Sequence, residues 1–115
     1  MRFKAIHFSK IKEETVKEPG FKGIKVRWLI TKEDGAPNFA MRCFEIEPGG
    51  HSAYHSHSWE HEVFILEGDC LVKCGNTEKH ASSGYVVFIP PNVSHNFKNI
   101  GKKTLKFLCL IPYEK

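Results

Sequence analysis

Seven histidines occur in 115 residues, and three of them, His55, His57 and His61, crowd a single short stretch. His55 and His57 stand at i and i+2 around Ser56. On an extended strand such side chains leave the same face, about 6.6 Å apart at ~3.3 Å per residue. Two imidazoles so placed can converge on one ion. After Ser58-Trp59-Glu60 come His61 and Glu62, and each is a plausible further donor as the chain turns back. Imidazole suits Zn, Cu, Fe and Ni, and carboxylate suits Mn, so the chemistry indicated is the binding of a divalent transition metal. Histidines at this spacing also fall on ordinary exposed strands, so the surrounding chain has to decide.

That chain reads as short strands. Ile24, Val26, Trp28 and Ile30 share one face of a run from Gly23 to Ile30. A loop through Glu33-Asp34-Gly35-Ala36-Pro37-Asn38 closes it. Between Phe39 and Glu47, Glu45 and Glu47 are expected to face water, which turns Ala40, Arg42, Phe44 and Ile46 inward. Pro48-Gly49-Gly50 is expected to turn. Further strands are expected at Tyr54–His57, His61–Leu66, Cys70–Cys74, Gly84–Ile89, Ser94–Lys98 and Leu105–Ile111, with tight turns at Glu67-Gly68-Asp69 and Gly75-Asn76. Helical periodicity is nearly absent; Ile11 to Glu18 allows one or two turns before Pro19-Gly20. About ten short strands at this rhythm form a sandwich or a closed barrel, the arrangements that bury apolar faces and limit exposed edges. The length fits one domain, residues 1–115.

Two gapped patterns then carry a resemblance. Gly49, His55, His57, Glu62 and Gly68 follow G-x5-H-x-H-x(3,4)-E-x6-G, with one residue fewer before the last Gly. Gly84, Pro90, His95 and Asn99 follow G-x5-P-x-G-x2-H-x3-N, with Asn92 in place of the middle Gly. Asn is the non-Gly residue that best tolerates a left-handed turn. These stretches, about 49–68 and 84–99, resemble the two motifs of the cupin superfamily. The resemblance implies an all-β double-stranded β-helix, the jelly-roll or cupin barrel. The run Trp59-Glu60-His61-Glu62-Val63-Phe64, with Ala36-Pro37-Asn38-Phe39 and Phe107-Leu108-Cys109-Leu110-Ile111-Pro112, is similar to small single-domain cupins that bind manganese through four histidines.

Common cupins use three His and one Glu, and that Glu would be Glu62. His61 and Glu62 are neighbours on a strand and cannot both face an ion without a bulge. With His61 inward, Val63 and Ile65 also point inward, a β-branched pair suited to a barrel interior. The expected ligands are therefore His55, His57, His61 and His95, with Glu62 either supporting them from outside or standing in as a ligand. Manganese is the cation the resemblance implies; Fe, Ni, Zn and Cu also suit the donors. His51 could reach the cavity mouth, and His7 and His80 are expected at the surface.

Parity places Phe97 beside His95, and Leu105, Phe107, Cys109 and Ile111 on the inner face of the last strand with Lys106 outside. Arg42 is the charged residue that parity puts inside, and it calls for an anionic partner: a substrate carboxylate or enolate, or a salt bridge at the rim. Arg42, Phe97, Phe107 and Cys109 are thus the expected substrate-pocket residues. An ion with open positions in such a pocket suits dioxygen chemistry on a small, electron-rich substrate, and the resemblance implies that many small cupins are dioxygenases. A Lewis-acid isomerase or lyase with Glu62 as base, or a non-catalytic small-ligand-binding cupin, are the alternatives.

The net charge of +4 comes from scattered lysines and shows no basic stripe or reader motif, so nucleic acid is not the expected partner. No apolar run approaches 18 residues and the polar start lacks a signal-peptide core, which sets a cytoplasmic expectation. The four cysteines are then expected as free thiols. A homodimer is expected, from the resemblance and from a possible Phe3–Phe8 strand able to pair with a second chain.

Overall fold

The computed structural model describes residues 2–113. Nine strands follow in order among them: β1 Glu14–Thr15, β2 Lys22–Ile30, β3 Phe39–His51, β4 His61–Glu67, β5 Asp69–Cys74, β6 Thr77–Ser82, β7 Val86–Ile89, β8 His95–Asn99 and β9 Leu105–Pro112. Every pairing is antiparallel, and the sheet runs β6-β5-β8-β3-β9-β4-β7, with β2 added along β3 and β1 along β2. The sheet coils into a nearly closed β-barrel of the jelly-roll type, and the crossovers from β3 to β8 and β9 bring sequence-distant strands side by side.

Alternation explains which side faces in. On β4, His61, Val63 and Ile65 are buried while Glu62, Phe64 and Leu66 are exposed. On β9, Leu105, Phe107 and Cys109 are buried, and Lys106 lies outside, paired to Glu67 at 3.1 Å. Ile24, Ile46, Val72, Ile89 and Phe97 complete the core from the remaining strands. Truncating any one of these aliphatic side chains to Ala costs about 2–5 kcal/mol, through lost transfer energy and the hole left behind. Among the described residues all four cysteines are free, and no helix is long and apolar enough to cross a membrane.

Four expected elements differ. Tyr54–His57 is not a strand; it is a loop tied to β8 by the single bridge His55–His95. Ile11–Glu18 makes no helical turn, because the free edge of β2 takes the segment as β1, with Val16 N–H donating to Ile24 C=O at 2.9 Å. Phe3–Phe8 forms no strand; Lys4 reaches Leu29 C=O and Asp34, and a 3-10 turn follows at Phe8–Lys10. Pro48-Gly49-Gly50 does not end its strand. β3 runs through it as a bulge opposite the Lys22/Ile24 step of β2. Gly49 adopts φ +81° there, and a Cβ on Gly50 would stand 2.6 Å from Lys22 O. No sequence pattern marks β6, whose exposed Thr77-Glu78-Lys79-His80 shows no apolar alternation.

Candidate metal centre

Three elements deliver the histidines. β4 carries His61 on its inner face and β8 carries His95 at its start, while the β3–β4 loop carries His55 and His57. That loop is held firmly to the barrel. His55 and His95 exchange backbone hydrogen bonds at 3.2 and 2.9 Å, and Asn92 N–H donates to His57 C=O at 2.7 Å. Asn92 does so from the left-handed conformation, φ +66°, that its place in the second motif implied. Ser52 adds two more ties, N–H to Phe97 C=O at 2.9 Å and Oγ accepting from Phe97 N–H at 2.8 Å.

The rings converge inside the barrel. Donor atoms of His55, His57 and His95 lie within 4.8 Å of one another. The His61 ring stands 4.6 Å from that of His57 and 5.0 Å from that of His95, centroid to centroid. Its Nε2 is 2.9 Å from His57 Nε2. Glu62 is exposed, on the face of β4 turned away from the cluster.

Hydrogen bonding shows which nitrogen is available on two of the rings, His57 and His95. His57 Nδ1 lies 2.8 Å from Trp59 C=O, and His95 Nδ1 lies 2.9 Å from Val93 C=O. A carbonyl oxygen only accepts, so both Nδ1 atoms carry the proton and both Nε2 atoms present a lone pair to the interior. Burial holds all four rings below the ordinary histidine range, His55 with added repulsion from His95, and His61 falls to about 3. The cluster is therefore one of neutral imidazoles. Adjacent donors on an ion at about 2.1 Å stand ~3 Å apart when bound at right angles, which is the His57–His61 Nε2 separation. The donor set fits a divalent transition metal.

The cluster opens on a cavity of about 420 Å³. Phe97 and Phe107 stack at 5.1 Å and Phe107 and Phe44 at 5.5 Å, giving a continuous aromatic wall. Arg42, Phe97, Phe107 and Cys109 all line this space, as strand parity predicts. The Arg42 guanidinium lies 4.8 Å over Phe44 and 5.4 Å over Trp28. None of the ion pairs among the described residues involves it, so the rim salt bridge is not formed. Its Nη2 donates to Cys109 Sγ at 3.1 Å.

Trp59 and Phe21 are among the cavity residues that no sequence signal marks. Trp59 stacks on His57 at 4.2 Å and 5°, and Phe21 meets His55 edge-on at 5.7 Å. Both sit in loops, where no periodicity marks an inward residue. The other histidines stand apart: His7 caps the Phe8–Lys10 turn, His80 pairs with Asp69 at 3.2 Å on the surface, and His51 turns to Ser52 C=O.

Comparison with known proteins follows the same lines. The family described as Cupin domain matches residues 42–111. Among curated proteins, 1-methylthio-D-xylulose 5-phosphate methylsulfurylase of Rhodospirillum rubrum is 33% identical over 75 residues, covering 65% of this chain and 48% of that protein. The match thus spans about half the length of that relative. Among solved structures, the polyketide cyclase RemF from Streptomyces resistomycificus superposes with a TM-score of 0.91 at 35% identity, over 97% of this chain and 80% of that one. A cupin-2 domain from Rhodospirillum rubrum superposes with a TM-score of 0.86 at 25% identity, over 97% and 76%.

Proposed function

This chain belongs to the cupin family, and on that footing we propose that it is a metal-dependent enzyme whose four histidines, His55, His57, His61 and His95, hold one divalent cation against an aromatic-walled cavity. The observation that carries the reading is the pair of facing nitrogens, His57 Nε2 and His61 Nε2 at 2.9 Å, with the His57 proton already committed to Trp59 C=O. A shared cation makes use of that approach.

A divalent ion in this place supplies Lewis acidity, drawing electron density from a substrate oxygen. Four neutral ligands leave its charge undiminished, so an enolate or similar anion is the favoured guest. Arg42, with no carboxylate partner among the described residues, adds a second fixed positive charge beside the cluster. Phe44, Phe97 and Phe107 offer a flat face on which a planar, unsaturated substrate stacks while water is excluded. Glu14 and Glu18 line the cavity from its N-terminal side and are the carboxylates suited to take the proton that enolisation releases. The resulting activity is Lewis-acid catalysis on a small enolisable carbonyl compound, and the likeness to a polyketide cyclase supports it.

The oxygenase reading stays as the second, favoured by the apolar wall of Phe97, Phe107 and Cys109 around the cluster. One experiment separates the two. Manganese, which the family resemblance implies, is offered to metal-free protein first, then iron, nickel, zinc and copper, and the stoichiometry is measured by calorimetry. The loaded protein is then assayed with β-diketones under argon and in air. One ion per chain and turnover under argon are expected. Turnover only in air, with oxygen consumed, establishes the oxygenase instead, and absence of binding by every cation overturns both.

A further inference from the structure

His57 and His95 have their Nδ1 protons taken by backbone carbonyls, but His61 does not. Its Nδ1 meets two side chains: Cys109 Sγ at 3.2 Å and Arg42 Nη2 at 3.4 Å. A guanidinium has no acceptor. The sulfur is then the one atom of the two that can receive an Nδ1 proton.

Cys109 is built into this position. It lies on the inner face of β9, directly opposite Val63 of β4 and Arg42 of β3, and it is 2% exposed. Arg42 Nη2 reaches the same sulfur at 3.1 Å. The guanidinium itself is fixed between Phe44 and Trp28. The opposite tautomer, with Nε2 protonated, aims a proton at His57 Nε2 and removes the lone pair that faces the centre.

We propose that Cys109 is a positioning residue of this centre: its sulfur takes the Nδ1 proton of His61, so that Nε2 stays unprotonated and turned toward the other three rings. This rests on the metal-binding reading above and extends it to a group that touches no ion. Arg42 stands beside the pair, its Nη2 3.1 Å from the sulfur and 3.4 Å from His61 Nδ1. Partners of this kind orient a ligating ring, and losing one typically lowers metal affinity about 10–100-fold.

The test uses full-length protein and zinc, which is diamagnetic and suits the donor set. Zinc affinity is measured by competition with a chelating dye for the wild type, Cys109→Ser and Cys109→Val, and the zinc-loaded, 15N-histidine-labelled proteins are examined by NMR. Valine fills the space without an acceptor, whereas serine keeps one. The expected result is a 10–100-fold loss for C109V, near-wild-type affinity for C109S, and a slowly exchanging His61 Nδ1–H in the wild type that C109V loses. Equal affinity for C109V and wild type overturns the proposal, as does an equal loss in C109S, which would mean packing alone. Should C109V not fold, absence of a protected His61 Nδ1–H in the zinc-loaded wild type overturns it. A wild type that binds no zinc at all brings down the metal reading itself, a different failure.

Discussion

At the scale of single residues, the site depends on imidazoles kept neutral inside a barrel. Burial lowers their proton affinity, and in His61 this reaches about 3, with Arg42 adding repulsion. A histidine whose folded pKa lies below its unfolded value of 6.5 binds fewer protons folded than unfolded in between. Its stabilising contribution is therefore intact above about pH 6.5 and fades as the pH falls toward 3. Metal-free protein is expected to lose melting temperature steadily on acidification through this range, and His61→Gln to show a shallower slope by calorimetric melting. Strand parity lets only one of His61 and Glu62 face inward, and the structure turns His61, with Val63 and Ile65, to the interior and Glu62 outward. The tautomers do not follow, since they depend on Trp59 and Val93 carbonyls placed by loops and on a sulfur 48 residues further along the chain.

At the scale of elements, Asn99 at the end of β8 shows how the second motif holds the barrel. It is 1% exposed; its Nδ2 donates to Ile46 C=O and Lys103 C=O, both at 2.8 Å, and its Oδ1 accepts from Gly101 N–H at 2.9 Å. Asn99→Ala leaves buried backbone groups without partners and is expected to cost about 2–4 kcal/mol. For a domain of this size that is a fall of about 10 °C or more in Tm, read by thermal melting. Strands with a clear alternating face, β2, β4, β5, β8 and β9, are legible in the chain. β6 is not, because it is a polar edge strand that buries only Ala81, and β1 is not, because two residues of edge pairing leave no pattern. The i, i+2 spacing of His55 and His57 suits a strand, yet a loop tied down by Asn92, Ser52 and His95 presents the same two rings to one point.

At the scale of the whole molecule, closure of the barrel and assembly of the centre are one event. The ligand-bearing pieces are separated in sequence and join only when β8 lies against β3 and β5, and β4 against β9. A cation held there as proposed would cross-link them and stabilise the fold by mass action, by about 2.7 kcal/mol at a free concentration 100 times Kd. A rise of several degrees in Tm with manganese or zinc is expected, and His95→Ala is expected to abolish it. The family match begins at residue 42, yet Phe21, Ile24, Val26 and Trp28 line the cavity from outside that span. On the proposed reading, that wall is where substrate choice would be set. Trp28→Ala is expected to admit bulkier ring systems while leaving cation affinity within about threefold, checked by ligand titration of the loaded protein; sequence alternation marks β2 as a strand but not as the rim of a cavity.

The most direct measurement of the central claim is X-ray absorption at the metal edge, together with anomalous diffraction, on protein loaded with a single equivalent of cation. The account predicts one ion ringed by four imidazole nitrogens at about 2.0–2.2 Å, contributed by positions 55, 57, 61 and 95. An ion bound elsewhere, or a shell holding fewer than four of these rings with His61 or His95 turned aside, would contradict it.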